Sequence, residues 1–134
     1  MSMNPSTAAS RRVQGADDRG AALVEMALLL PILVLLLFGI FEFGRAYNAK
    51  ITLTHATREG VRVLSLTGDA DAAADRLLAA SSPLDPALIS ISSTECVTGE
   101  PTSISASYPF SYNIPLFGAA TISMDSTAVM RCGG

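Results

Sequence analysis

The sequence predicts an α+β protein, in which a long N-terminal helix, first transmembrane and then amphipathic, carries a small antiparallel β-sheet head. Three observations support this fold class. A strongly apolar segment follows a polar N-terminus. Beyond that segment the chain keeps apolar residues at helical spacings. The last third alternates apolar and polar residues in three runs bounded by glycine and proline, which is typical of strands.

The composition excludes several classes of function. The chain has 134 residues, of which 49% are hydrophobic and only 16% are charged. Soluble domains average about 25% charged residues, so part of this chain is expected in lipid or in a dry interface. A net charge of -3 disfavours a nucleic-acid partner, since no basic excess is present to neutralise phosphates. Two cysteines and one histidine are too few for a structural zinc site, and we expect no metal and no cofactor.

The N-terminal stretch is polar and rich in small residues. Its composition from Met1 to Arg19 predicts disorder, and we place residues 1–20 in a leader that is separate from the folded protein.

The apolar segment that follows is the candidate membrane span. Residues 21–41 contain a single charge, Glu25, and as a helix they cover about 31 Å, which matches the hydrocarbon core of a bilayer. A helix that is apolar on all sides is also found in the core of large proteins. The rest of this chain is too short to surround such a helix, so we predict a single transmembrane helix.

The orientation of the span does not follow from its flanking charges. Three arginines precede it, and Arg45, Lys50 and Arg58 follow it closely, so the positive-inside count is nearly balanced. Both cysteines, Cys96 and Cys132, lie late in the chain. We predict that they form a disulfide, which places the C-terminal head outside the cytoplasm and the N-terminus inside.

The helix is expected to continue through residues 42–67. That stretch contains no proline, and Gly68 is the expected stop signal. Several apolar or small residues in it are three or four positions apart, which predicts one apolar helix face. These residues are Tyr47, Ile51, Leu53, Ala56, Gly60 and Leu64.

Residues 68–134 are predicted to form the head, which begins with a short helix over residues 71–80. Asp69, Asp71 and Asp75 precede this helix or lie on it. An Asp-x-Asp pair also occurs in calcium loops, but here neither a glycine turn nor a closing glutamate follows. We therefore interpret these carboxylates as an N-cap and as first-turn charges that complement the helix dipole.

Three strands are predicted after Pro83 and Pro86. Their alternating runs cover residues 87–94, 104–112 and 122–130. Pro109 lies inside the second run, so that strand is expected to be an edge strand, to carry a bulge or to break in two. Three strands with one apolar face need a cover, and the amphipathic half of the long helix is the natural candidate.

The sequence contains no recognisable enzyme site. His55 has no nucleophile at a meaningful spacing, and we expect it at the surface or in an interface. The segment Arg58–Arg62 is either a binding motif or the solvated face of the helix. Gly60 within it costs about 1 kcal/mol relative to alanine, which favours close packing of another backbone at that point.

The start of the span carries the most informative residues. Gly20 directly precedes the span, and Glu25 follows it by five positions. A carboxylate at the bilayer centre costs about 2.5–3.5 kcal/mol, and less near the interface, so Glu25 is expected to have a partner or a function. The possible partners are water, a lipid headgroup, another chain, or an amine made by cutting the chain after Gly20. An interfacial glutamate without a role is the simplest alternative.

Two sequence strings resemble known pilus proteins. The string RGAALVE, from Arg19 to Glu25, resembles the processing site of type IV prepilins, with glycine before the cut and glutamate at mature position five. The longer string RGAALVEMALLLPILVLLLFGIFEFGRAYN resembles the TadE-like family of the tight-adherence, Flp-type pilus systems, as do ATREGVR and the closing Ala-Val-Met-Arg. Met26 stands where the family often has phenylalanine.

The resemblance implies a pilin-like fold and the role of a minor pilin or pseudopilin, which is a structural subunit and not an enzyme. Prepilin peptidase would cut between Gly20 and Ala21, leaving a free amine at Ala21, and Glu25 would act in assembly. The implied partners are the major pilin, other minor pilins, the inner-membrane assembly platform and membrane lipid. The implied location is the cytoplasmic membrane or the surface pilus, and the implied role is surface attachment.

Two alternative functions follow from the same residues. The first is a membrane-anchored accessory scaffold of pilus assembly or secretion that does not enter the filament. The second is a secreted protein with an ordinary signal peptide cut near Gly44-Arg45-Ala46. That alternative fits poorly, because the apolar stretch exceeds the usual 7–15 residues of a signal peptide.

Overall fold

The computed structural model of the protein describes the backbone of residues 14–133 and the side chains of residues 19–133. It confirms the predicted α+β class, with a long N-terminal helix and a three-stranded antiparallel sheet. The helices are α1 (Gln14–Thr67) and α2 (Ala70–Ala80), followed by a 3₁₀ turn (Pro86–Leu88). The strands are β1 (Ser90–Ser93), β2 (Pro101–Ile114) and β3 (Gly118–Arg131).

Helix α1 begins earlier than the sequence analysis expects. Residues 14–20 are helical, although they belong to the leader that composition predicts to be disordered. Once a helix has formed, each further residue adds one hydrogen bond, so the helical span favours helix in the residues just before it. The rest of the predicted disordered segment, residues 1–13, lies outside the described residues.

The chain divides into two compact units, Met1–Leu37 and Phe38–Gly134. In the first unit, the described residues form part of α1, and nearly all of their side chains from Arg19 onward are exposed. Pro31 lies inside this helical stretch. An apolar helix without a protein covering is the expected appearance of a span whose solvent is lipid.

In the second unit, α1 presents one apolar face to the head. Leu53, Ala56, Gly60 and Leu64 are buried, as their spacing predicts. Tyr47 and Ile51 do not belong to this face, because both are at least half exposed. They are four residues apart, but at 100° per residue they lie on the opposite side of the helix from Leu53. The spacing of four correctly indicated that Tyr47 and Ile51 share a helix face, but it did not indicate that this face is exposed.

Helix α2 is separated from α1 by a short break. Gly68 has a φ of 72°, a conformation that glycine adopts at little cost, and its amide donates to the Leu64 carbonyl at 2.9 Å. Asp69 is the N-cap of α2, where its carboxylate accepts hydrogen bonds from the amides of Asp71 and Ala72. The predicted stop and the predicted cap are both confirmed.

The sheet has the order β1-β2-β3 with antiparallel neighbours. Strand β2 is unbroken and central in the sheet order, so of the three possibilities expected from Pro109 only the edge position occurs, and only locally. The explanation is the short length of β1, which pairs with β2 only over residues 104–107. Pro109 lies beyond that pairing, so β2 is locally an edge strand on that side. The proline lacks an amide hydrogen, but no hydrogen bond to β1 is lost because β1 does not extend that far.

The core of the head is formed by α1, α2 and the inner face of the sheet. The predicted cover is confirmed, since the buried face of α1 joins residues from every other long element in one cluster. The contributing residues outside α1 are Ala73, Leu77, Ile104, Ala106, Phe110 and Met124.

Helix α2 approaches α1 closely at Gly60. A Cβ built on Gly60 would lie 3.1 Å from the Leu77 Cβ, 3.2 Å from the Ala73 carbonyl oxygen and 3.2 Å from the Ile104 Cδ1. The close backbone approach predicted at this glycine is therefore present. The absence of a side chain lets α2 and β2 pack against the same point of α1.

We expect Gly60→Val to destabilise the head by about 1–3 kcal/mol, because the added methyl groups must displace a backbone oxygen and two core side chains. Thermal unfolding of the full chain in detergent micelles, followed by circular dichroism, would measure this. Gly44→Val is the matched control, since a Cβ at Gly44 meets nothing within 4 Å. Equal unfolding midpoints for the two variants would contradict the assignment of a tight contact to Gly60.

Candidate functional site

The candidate processing residues lie on an exposed stretch of α1. Gly20, Ala21 and Glu25 are all helical and exposed, and a Cβ on Gly20 would meet nothing within 4 Å. Ala21 and Glu25 are four residues apart, so they lie on the same helix face about one turn from each other. The structure therefore places the Ala21 backbone and the Glu25 side chain as neighbours along one helix.

The peptide bond after Gly20 is part of a regular helix. A protease generally needs an extended, accessible backbone, so cleavage here requires local unwinding. Glycine in a helix interior is about 1 kcal/mol less favourable than alanine, which lowers the cost of unwinding at this position. The residue type is therefore suited to a cleavage point in an otherwise strong helix.

The apolar segment qualifies as a membrane span by length and composition. Among the described residues, one helix meets this criterion, and none of its most apolar stretch is buried by protein. The exposed large side chains occur on all sides of the helix. They include Leu23, Val24, Met26, Leu28, Leu29 and Ile32.

An ion pair follows the apolar segment. Both carboxylate oxygens of Glu42 accept hydrogen bonds from the Arg45 Nη1 at 3.0 Å, one turn along the helix. The Arg45 guanidinium also lies over the ring of Phe110 in β2, with its carbon 5.4 Å from the ring centroid. This cation–π contact connects the start of the amphipathic half of α1 to the sheet. On the exposed side, Phe43 and Tyr47 stack with ring centroids 6.4 Å apart.

The segment Arg58–Arg62 contributes to packing. Glu59 forms a salt bridge with Arg76 of α2 at 3.0 Å, and Gly60 and Val61 are buried. The hydrogen bond from Arg76 holds the pKa of the Glu59 carboxyl below its usual value. Arg58 and Arg62 are exposed, so only part of the segment is the solvated face that its charges suggest. His55 is also exposed, as expected.

Polar contacts fix α1 along strand β3. The Lys50 ammonium donates to the carbonyl oxygen of Asp125, and the hydroxyls of Thr57 and Ser126 are 2.9 Å apart in the core. Farther along, the Ser65 hydroxyl lies 3.2 Å from the Met130 sulfur. These contacts define the alignment of the helix with the strand.

The predicted disulfide between Cys96 and Cys132 is present, with Cα atoms 5.6 Å apart. Cys96 lies in the loop after β1, where its side chain is free of the strand alternation. The Cys132 amide also donates to the Glu100 carbonyl at 2.8 Å, and the Gly133 amide donates to the Ser65 carbonyl at 2.8 Å. The C-terminal residues are thus attached both to the loop and to α1.

The comparison with protein families matches a stretch that lies within α1. Residues 20–62 match the family described as TadE-like protein. The match confirms the resemblance seen in the same residues, and the TadE-like family is a structural family associated with the tight-adherence pilus. No curated protein and no solved structure matches the chain.

The TadE-like stretch coincides with features that the structure explains physically. It begins at Gly20 and contains the apolar segment, the ion pair of Glu42 with Arg45, and the packing contact at Gly60. In the sequence, Glu42 was noted only as part of the resemblance, and Arg45 only there and as a charge that follows the span. Their spacing of three within a helix was sufficient to predict the ion pair. The contact of Arg45 with Phe110 spans 65 positions and had no local signal.

Loss of the disulfide is expected to destabilise the head strongly. The two cysteines are 36 positions apart, and closing a loop of this size stabilises a fold by roughly 4 kcal/mol in the chain-entropy model. Denaturant unfolding of a Cys96→Ser, Cys132→Ser double variant should show that loss, and reduced wild-type protein should behave like the variant. An unchanged unfolding midpoint, or two alkylatable thiols in the non-reduced protein, would be inconsistent with a stabilising bridge.

Proposed function

We propose that the protein is a minor-pilin-like or pseudopilin-like structural subunit of a tight-adherence pilus, matured by prepilin peptidase between Gly20 and Ala21. The family match carries this proposal, because it starts at Gly20 and covers the whole apolar segment. Its action is structural: the span holds the subunit in the membrane until assembly, and the head is displayed outside. Its partners are the major pilin, other minor pilins, the assembly platform and the lipid of the inner membrane.

The disulfide supports an extracytoplasmic location of the head. The disulfide of Cys96 and Cys132 persists in oxidising compartments, and such bonds are rare in the cytoplasm. In this orientation the leader faces the cytoplasm, and the peptidase acts at the cytoplasmic surface of the membrane.

We expect Gly20→Val to block maturation and to leave a longer, membrane-bound precursor. Valine removes the weak point in the helix and adds a branched side chain where a narrow protease site would need none. N-terminal sequencing of protein from the native membrane would identify the first residue, which should be Ala21 in the wild type. Gly39→Val is the matched control, because it makes the same change at an open position of the same helix.

Three outcomes distinguish the alternatives. Normal maturation of Gly20→Val would contradict the processing role of this glycine. An intact N-terminus in the wild-type protein would indicate a plain membrane anchor. A start at Tyr47 would indicate an ordinary signal peptidase.

Glu25 is proposed to set the axial register of the subunit in the assembly. Cleavage creates an ammonium at Ala21, one helical turn from Glu25. Each charge is costly in lipid or in a dry filament core, and pairing offsets part of that cost. The ammonium of an incoming subunit can pair with Glu25 of its neighbour and fix their relative height. Pairing of Glu25 with the amine of its own chain is the competing arrangement, and it would only ease insertion.

We expect Glu25→Leu to be inserted and cleaved normally but to be absent from the assembly. Leucine removes the cost of placing a carboxylate in the bilayer, so insertion should persist or improve. Glu25→Gln, which keeps the size and loses the charge, should fail in the same way, and Glu25→Asp should retain incorporation. Shearing of surface pili and co-purification with the major pilin would measure incorporation.

The same experiment tests the accessory-scaffold alternative. A Glu25→Leu protein that assembles at the wild-type level would refute the register role. Wild-type protein that is found only in membranes, never in sheared pili, would instead support a scaffold that stays in the bilayer.

A further inference from the structure

The hairpin formed by β2 and β3 extends well beyond the three-stranded part of the sheet. The two strands pair continuously from Pro101 with Arg131 to Ile114 with Gly118, whereas β1 pairs only with residues 104–107. The outer part of the hairpin is therefore a two-stranded ribbon. Such ribbons are marginally stable in water unless another surface covers them.

The tip of this hairpin exposes two large apolar side chains. Leu116 is 90% exposed and Phe117 is 80% exposed. The Phe117 amide donates to the Ile114 carbonyl at 3.1 Å, which closes a four-residue turn with Pro115 at its second position. Leu116 occupies the third position with a φ of 72°. A turn with proline second and a positive φ third usually has glycine or asparagine there, so leucine is an unfavourable choice for the backbone. The turn thus presents an apolar side chain to solvent at a conformational cost.

The hairpin is also uncharged over an unusual length. No Asp, Glu, Lys, Arg or His occurs from Pro101 to Met124, although the flanking residues Glu100 and Asp125 are both acidic. The ribbon also carries two half-buried tyrosines, Tyr108 and Tyr112. An uncharged surface with tyrosine, phenylalanine and leucine is typical of the interface between bilayer and water.

Contacts with α1 show which end of the head the tip occupies. Met130 contacts Ser65, and Ser126 contacts Thr57, which is nearer the N-terminus of α1. Phe110, which pairs with Ile122, lies under Arg45. Each step along the hairpin toward its tip is therefore a step along α1 toward the apolar segment.

The reach of the hairpin can be compared with the length of the helix. From Met130 to Ser126 the strand covers roughly 13 Å and from Ser65 to Thr57 the helix covers about 12 Å, so the two run nearly parallel. From Ser126 to Gly118 the strand covers roughly 26 Å, which equals about 17 or 18 helical residues. Counting 17 or 18 residues back along α1 from Thr57 leads to about residue 39 or 40. The tip is thus level with the outer end of the span proposed over residues 21–41.

We propose that the hairpin tip is a second membrane contact, in which Leu116 and Phe117 insert into the outer interfacial layer of the bilayer that holds the span. The inference rests on the membrane anchoring in the proposed function, but it does not depend on cleavage or on entry into a filament. Lipid is favoured over a protein partner because the tip lies at the level where the apolar segment ends. Its uncharged surface needs no complementary charge or shaped pocket there. The tip holds the head against the membrane before the subunit is extracted.

The absence of tryptophan from the chain makes a direct test possible. Phe117→Trp introduces a single tryptophan at an exposed position, so the fold should be unaffected, and excitation at the red edge of the absorption band avoids the three tyrosines. In proteoliposomes containing the full chain, the tryptophan emission of this variant should lie at shorter wavelength than that of a water-exposed tryptophan. Brominated lipids should quench it. Aqueous acrylamide should quench this tryptophan several-fold less than it quenches a water-exposed tryptophan placed elsewhere in the head.

Two matched variants separate the tip from the rest of the molecule. Val129→Trp changes an exposed residue at the other end of β3 and should be quenched by acrylamide but not by brominated lipid. Leu33→Trp lies in the span and should be quenched by brominated lipid. A non-reducing gel before and after alkylation would show that each variant retains its disulfide.

The outcomes are decisive for both proposals. If Leu33→Trp is quenched by lipid and Phe117→Trp behaves like Val129→Trp, the membrane contact of the tip is refuted while the anchor stands. If Phe117→Trp is protected from both quenchers, a protein surface covers the tip and the lipid proposal is wrong. If Leu33→Trp is not quenched by lipid, the membrane anchor fails together with the tip contact.

Discussion

Close packing along one face of α1 holds the head together. At Gly60 the backbone of α2 and a side chain of β2 reach the same point on the helix, because no side chain occupies it. Around that point Leu53, Ala56 and Leu64 are fully enclosed by the other elements. Without α1, the sheet and α2 would be too small to form a core, since three strands with one apolar face need a cover. The same helix contains the apolar segment, so anchoring and folding depend on one element.

Much of the fold was predictable because its signals are local. Gly68 and Asp69 mark the break between the helices through backbone conformation and capping, which depend only on neighbouring residues. The sequence could not show which of the expected effects Pro109 would have, because this depends on how far β1 extends, which is a long-range property. The exposure of Tyr47 and the helical state of residues 14–20 were also missed. Both depend on the whole helix, and the spacing of a few residues does not show them.

The candidate functional residues also differ in whether the signal that marks them is local. Gly20 and Glu25 were found because a glycine and a carboxylate are unusual at the start of an apolar helix, and the family match begins at the first of them. The tip residues Leu116 and Phe117 carried no such signal. In sequence they resemble two ordinary core residues beside a proline, and only the length of the hairpin shows that they lie outside the core.

The disulfide has a mechanical consequence when the chain is pulled. A chain pulled at its ends lengthens by roughly 3.3–3.6 Å for each residue released. The bridge removes the 36 positions between Cys96 and Cys132 from that extension, which is on the order of 120 Å. Strands β2 and β3 lie within this closed loop. Tension can therefore separate the sheet from α1, but it cannot draw out the hairpin, and a released head can refold with its longest strand pair still connected.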